Sequence, residues 1–180
     1  MLASCGGIRK MQEPMFPRII NHIGLTVENL EEAVAWYQKV LGFQVLMGPL
    51  DVTVDDSPLG ILLRDFFDPR LKRLRMCHLT TGNGVGFEIF EFIEPKSQRP
   101  ATDFEYTRGG FYHICVTDPD IEGLIARIVE NGGRQRGHTC KPYAGAGYQA
   151  AYCHDPFGNV IEVLSHSWEQ LQSNRDRGRS

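Results

Sequence analysis

One stretch of this sequence is written twice, and the repeat limits the possible folds more than any other feature. Residues 22–42, HIGLTVENLEEAVAWYQKVLG, return as residues 113–133, HICVTDPDIEGLIARIVENGG, at a constant shift of 91 positions. The shift lays His22 on His113, Ile23 on Ile114, Thr26 on Thr117, Glu31 on Glu122, Ala35 on Ala126 and Gly42 on Gly133. Self-similarity of this kind marks two copies of one supersecondary unit.

Each copy predicts a strand followed by a helix. In HIGLTV the period of two puts His22, Gly24 and Thr26 on one face and Ile23, Leu25 and Val27 on the other. Asn29 then caps a helix, with Glu32 three residues on as its capping-box partner, and Leu30, Ala33, Val34, Tyr37, Val40 and Leu41 form one apolar stripe that ends at Gly42. In the second copy Asp118-Pro119 reads as the cap and first helical residue, and Ile121, Leu124, Ile125, Ile128 and Val129 as the stripe. Both histidines thus fall on the strand face opposite the one that packs under the helix.

The rest of the chain completes two βαβββ units, an α+β architecture. In the first unit, Phe43–Met47 reads as a strand broken by Gly48-Pro49. Residues 50–72 combine a surface-loop signal (Asp51, Asp55, Asp56) with apolar residues from Leu59 to Phe67 that suit a covering segment. Leu74–Thr80 and Val85–Ile93 are strands joined by a Gly82-Asn83-Gly84 turn. In the second unit the strands are Arg134–His138, Tyr148–His154 and Val160–Ser165, the last two joined by Asp155-Pro156-Phe157-Gly158-Asn159. The expected layout is a loose extension over 1–19, a first module over 20–95, a polar connection over 96–111, a second module over 112–166 and a fraying polar tail over 167–180. Met11 and Met15 are alternative starts.

Composition excludes more than it assigns. Charged residues make up 23% of the chain and the net charge is −3, which gives no basic surface for nucleic acid or an anionic membrane. No apolar run approaches the ~20 residues of a membrane span. The five cysteines are odd in number and widely spaced, which fits neither a disulfide framework nor a Cys-rich zinc site and suits a reducing cytoplasm.

Comparison of the modules brings out the chemistry. Each ends in a strand with a glutamate among apolar neighbours: Glu88 in GFEIF and Glu162 in NVIEVL. A carboxylate in such a strand is costly unless it is paired or bound to a metal. A lone strand histidine or glutamate is ordinarily structural or solvated. As a set in register with the repeat, however, His22, Glu88, His113 and Glu162 form a two-fold arrangement of N and O donors suited to a divalent first-row metal. Glu91 is the competing carboxylate, because a shift of one residue would turn it inward in place of Glu88.

These motifs resemble the vicinal oxygen chelate superfamily, which includes glyoxalase I, methylmalonyl-CoA epimerase, extradiol dioxygenases, and fosfomycin- and bleomycin-resistance proteins. The resemblance rests on HIGLTVENLEEAVAWYQKVLGF, GVGFEIFEF, FYHICV and DPFGNVIEVL, and it covers residues 20–166. It implies paired βαβββ modules in a curved mixed sheet around a metal-binding cup, with His22, Glu88, His113 and Glu162 at the metal positions.

Three functional classes follow from the resemblance. The first is a glyoxalase-type lyase or isomerase of a small molecule with vicinal oxygens. It would use Ni, Zn, Co, Mn or Mg, with Glu162 as the base in metal-assisted proton transfer. The second is an iron-dependent extradiol dioxygenase, with Tyr152 and His154 as candidate acid–base groups. The third is a non-catalytic binding or resistance protein, for which a full ligand set has no physical need. Arg64, Arg75 and Arg108 are candidate anion clamps. Cys115 shares the face of His113, and Cys153 lies on the face opposite His154; the proton-transfer chemistry uses neither. The expected partner is a small-molecule substrate, with no nucleic acid and no membrane, and the expected assembly is a homodimer. The connection permits the modules to pair within one chain or between two.

Overall fold

In a computed structural model, residues 16–99, 104–143, 145 and 147–173 are described. The proposed alternative starts, most of the N-terminal extension, residues 100–103 of the connection, and the end of the tail lie outside them. The first module runs β1 (His22–Thr26), α1 (Leu30–Leu41), β2 (Gln44–Thr53), α2 (Pro58–Phe66), β3 (Arg73–Thr80) and β4 (Gly86–Glu94). The second runs β5 (Ile114–Thr117), α3 (Ile121–Glu130), β6 (Arg134–Cys140), β7 (Ala150–His154) and β8 (Val160–Leu164), followed by α4 (Trp168–Ser173).

The two modules have the same topology. Their strand orders are β1-β4-β3-β2 and β5-β8-β7-β6, each with one parallel pair (β1 with β4, β5 with β8) and antiparallel pairing elsewhere. The architecture is therefore the expected α+β pair of βαβββ units. Among the described residues no ladder joins β1 to β5, so the molecule contains two four-stranded sheets and the sheets alone do not form a closed cup.

The helices fuse the modules. Leu30, Tyr37 and Val40 of α1, Phe87 and Ile89 of β4, Ile121 and Ile128 of α3, and Ile161 and Val163 of β8 belong to one buried core. Ile23 and Leu25 of β1 and Ile114 and Val116 of β5 pack against it. This leaves His22 and Gly24 on the other face of their sheet, as the alternation predicts.

Polar ties cross the same boundary. The Trp36 indole N–H donates to the Asn131 carbonyl at 2.9 Å, and the Tyr37 hydroxyl donates to Asp155 Oδ2 at 2.7 Å. Asp155 Oδ1 accepts the Phe157 and Asn159 amides at 3.0 and 2.7 Å, and Oδ2 accepts the Asn159 side-chain amide at 2.7 Å. The DP-x-GN turn is thus held by a buried carboxylate that also anchors the first module.

Local chemistry sets the element ends. Asn29 Oδ1 accepts the Glu32 amide at 3.1 Å, and Gly42 closes α1 at φ +70°, where a side chain would be strained. In α3 the cap is Asp120 and not Asp118: Asp120 Oδ1 accepts the Gly123 amide, while Asp118 Oδ1 accepts the Asp120 amide in the turn before it. The helix consequently starts two residues later than the Asp-Pro pair suggests.

Three further readings differ. β2 does not stop at Gly48-Pro49 but runs through it to Thr53, absorbing the interruption as shifts of register against β3. Gly48 sits there at φ +103°, and an added Cβ would lie 2.9 Å from the Met76 carbonyl oxygen. Residues 58–66 form a helix, capped by Ser57 and packed through Leu63 onto Val54, Leu71 and Leu74. Part of the polar tail forms α4, which buries Leu171 beside Ala150 and Leu164. No helix among the described residues is long and apolar enough to cross a membrane.

Candidate functional site

The face of the first sheet away from the helices carries His22, Glu88 and His78. Register explains the grouping, since β4 places Glu88 beside Gly24 of β1 and opposite His78 of β3. His22 Nε2 lies 3.4 Å from Glu88 Oε2, and His78 Nδ1 lies 3.1 Å from Glu88 Oε1. Both carboxylate oxygens therefore face an imidazole.

Glu91 faces the other way. Its Oε2 accepts the Leu30 amide at the N-terminus of α1 at 3.1 Å and an Arg75 N–H at 3.3 Å. There a carboxylate meets unpaired helix amides and the positive end of the helix dipole. Arg75 also pairs with Glu31, whose carboxyl its guanidinium lowers below the usual range. Arg75 thus serves α1 and is not an anion clamp in the site.

The second sheet repeats the arrangement. His113, just before β5, places Nε2 3.2 Å from Glu162 Oε2, and its Nδ1 has no hydrogen-bond partner among the described residues. Register sets Cys115 and Tyr152 on either side of Glu162. Partial desolvation, and after it Glu162, push the Cys115 thiol up to about 12. The same two causes, in the same order, raise the Tyr152 phenol, with a smaller contribution from Tyr112. Cys153 is buried in the core and His154 is fully buried, so neither opens onto the site.

One of these neighbours, His78, escaped the sequence reading although a signal was present. Reflection about Asn83, the centre of the Gly-Asn-Gly turn, pairs His78 with Glu88; reflection about Phe157 pairs Tyr152 with Glu162. The two pairs are related by one shift of 74 positions.

Donor types and spacings suit a divalent metal pair by pair. Two ligands of one ion, each ~2.1 Å from it, stand about 3 Å apart, close to the spacing found in both His–Glu pairs. Among the described residues, however, no group of three or more His, Cys, Asp or Glu is assembled as a metal site. The structure brings His22 to Glu88 and His113 to Glu162; it does not close the four on one point.

A cleft of about 400 Å³ lies between the modules, with Ile23 and Leu25 of β1 on one side and His113 and Ile114 on the other. Tyr37 and Phe87 also line it, as does Arg108, which pairs with Glu105 at 3.1 Å. Arg64 is engaged by Asp56 at 2.9 Å.

Residues 19–163 match the family model of the Glyoxalase/Bleomycin resistance protein/Dioxygenase superfamily. The chain belongs to this superfamily. A curated relative, the ethylmalonyl-CoA/methylmalonyl-CoA epimerase of Cereibacter sphaeroides, is 30% identical over 127 residues, covering 71% of this chain and 80% of the relative. Among solved structures, a glyoxalase family protein from Bacillus cereus superposes with a TM-score of 0.69 at 17% identity, covering 86% of this chain and 97% of that one. A variant of the fosfomycin resistance protein FosX from Listeria monocytogenes, complexed with Mn(II) and a dihydroxypropylphosphonic acid, superposes at 0.55 with 16% identity, covering 87% and 98%. At these identities the structural likenesses establish the vicinal oxygen chelate fold and nothing finer.

Proposed function

We infer that this chain is a metal-dependent isomerase or lyase that moves a proton on the carbon beside a carbonyl. The observation that carries the reading is the mirrored pair of contacts, His22 with Glu88 and His113 with Glu162. Four N and O donors suit a divalent ion such as Ni, Zn, Co, Mn or Mg that acts without redox. When bound, the ion supplies Lewis-acid stabilisation of the negative charge on the substrate oxygen.

The chain's residues do the rest. Glu162 takes the proton: the carbon–hydrogen bond breaks, its electron pair moves toward the carbonyl oxygen, and the carboxylate becomes a carboxylic acid. His113 Nε2 stands 3.2 Å from Glu162 and would hold the ion beside it. Tyr152, whose phenol is held protonated, is a neutral donor beside the same carboxylate. Delivery of a proton to the opposite face by a second acid gives an epimer; return of the proton from Glu162 to the neighbouring carbon gives an isomer. The epimerase relative supports chemistry of this kind.

A second reading, an iron-dependent extradiol dioxygenase, draws on His22, His78 and Glu88, two imidazoles on one carboxylate. Solvent-deuterium exchange into methylmalonyl-CoA and the methylglyoxal–glutathione hemithioacetal separates the two, measured with and without oxygen. Exchange that ignores oxygen and falls at least 100-fold in Glu162→Gln is expected. Turnover of a catechol that stops without oxygen, with iron bound and no exchange, would overturn the proton-transfer reading.

A further inference from the structure

The two modules share one site architecture, and they differ where it reaches the edge of each sheet. In module two, pairing across the strands gives the row Arg136, Tyr152, Glu162, Cys115. The equivalent row in module one is Met47, His78, Glu88, Gly24. A thioether therefore stands at one end of the two-fold and a guanidinium at the other. The row of module two thus ends in a cation where that of module one ends in an apolar side chain.

The Arg136 guanidinium carbon lies 4.4 Å from the centre of the Phe104 ring. Phe104 is itself set by aromatic neighbours: ring centroids lie at 5.4 Å from Tyr106, 5.9 Å from Tyr112 and 6.3 Å from Tyr152. These residues with Arg136 line an open recess of about 440 Å³ beside Tyr152. Stacking occupies the flat face of a guanidinium and leaves its edge of N–H donors in the plane. Among the described residues Arg136 makes no ion pair; Arg64, Arg70, Arg73, Arg75, Arg99 and Arg108 each face a carboxylate, and Arg18 and Arg127, also without one, donate to the Phe16 and Val40 carbonyls. A cation oriented by an aromatic platform and left without a counter-ion is set up to receive one.

We propose that Arg136, stacked on Phe104, is the anion-binding residue of the site, receiving a carboxylate carried by the substrate a few bonds from the reacting carbon. The distance suits this. Arg136 and Glu162 are two strands apart, about 10 Å between Cα atoms, and both side chains project from the same face. A short acid held between them presents its carboxylate to Arg136 and its acidic carbon to Glu162. The fork of N–H donors matches the two oxygens of a carboxylate in a way that a point charge does not. The role of Arg136 in turnover rests on the proton-transfer reading above; its role in binding does not.

The test separates the two. Calorimetric titration of the purified full chain uses malonate as the probe and malonamide as its neutral counterpart. Arg136→Gln is expected to weaken malonate at least tenfold and leave malonamide unchanged, and Arg136→Lys to recover only part of the loss. The titration is repeated in a His22→Ala/His113→Ala background, where malonate cannot gain affinity by chelating a metal. Persistence of the Arg136 effect there upholds the seat even if the metal reading fails. Equal malonate affinity with and without Arg136, or an effect that disappears in that background, would overturn the proposal. Circular dichroism of each variant confirms that binding is compared between folded proteins.

Discussion

At the scale of single residues the deciding question is which carboxylate on β4 turns toward the site, because Glu88 and Glu91 project from opposite faces. The alternation of Phe87, Ile89 and Glu91 marks the two faces of β4 but does not name the one that packs against the helix. The named partners decide it: Glu88 meets His22 and His78, and Glu91 meets the start of α1. Glu88→Gln is expected to lower bound metal at least tenfold with little change in folding stability. Glu91→Gln is expected to leave metal content intact and cost about 1–2 kcal/mol through the lost charge at the helix end. Elemental analysis beside urea denaturation reads both, and metal loss in the Glu91 variant would reverse the assignment. The equivalent placement of His22 and His113, each beside a strand glutamate, was legible because a repeat exposes equivalence. Arg136 was not, because its meaning depends on Phe104, which lies 32 positions away in a segment without periodicity.

At the scale of elements, sequence reading succeeded where a period and a cap coincide and failed where one was missing. α1 has both. α3 has the period, but two aspartates compete for its cap, and the later one wins. Residues 58–66 show a helix that exposes Leu59, Ile61, Leu62 and Phe66 and buries Leu63, so its apolar pattern does not mark the packed face. The DP-x-GN turn was visible as a motif, but its link to Tyr37 was not, since the partner lies 118 positions away. That link is testable. Tyr37→Phe removes one hydrogen bond from a buried carboxylate and is expected to cost about 1–3 kcal/mol. The pH dependence has a definite sign. Burial raises the Asp155 carboxyl above its ordinary 3.8 despite the hydrogen bonds it accepts. The folded chain then holds this proton more tightly than the unfolded chain. The associated stability is fully present below 3.8 and is lost as pH rises through the raised folded value. Asp155→Asn abolishes that loss, so the stability of the wild type relative to this variant is expected to fall as pH rises above about 4, measured by urea midpoints. A relative stability that rises with pH instead would mean that the hydrogen bonds outweigh burial.

At the scale of the whole molecule, the repeat foretold two modules with one topology, and one buried core joins them. What neither the repeat nor the strand ladders establish is closure. Each module has one His–Glu pair on its own sheet, and β1 and β5 are not hydrogen-bonded to one another. If both pairs serve one ion, the metal links the modules, and losing either histidine costs the molecule the same thing. The expected content is one divalent ion per chain, lost in His22→Ala/His113→Ala. A ligand that binds the native state alone adds about 2.7 kcal/mol at a hundredfold excess over its Kd, or roughly 5–10 °C in Tm for a chain of this size. Chelation is therefore expected to lower Tm by that amount, and His22→Ala and His113→Ala should each abolish the chelator's effect. The single variants carry the decision. If only one of them removes the effect, the ion sits in one module and the other pair is an ordinary His–carboxylate contact. Two ions per chain, each lost with its own histidine, would mean that the modules bind metal separately and that proton transfer at Glu162 does not involve Glu88.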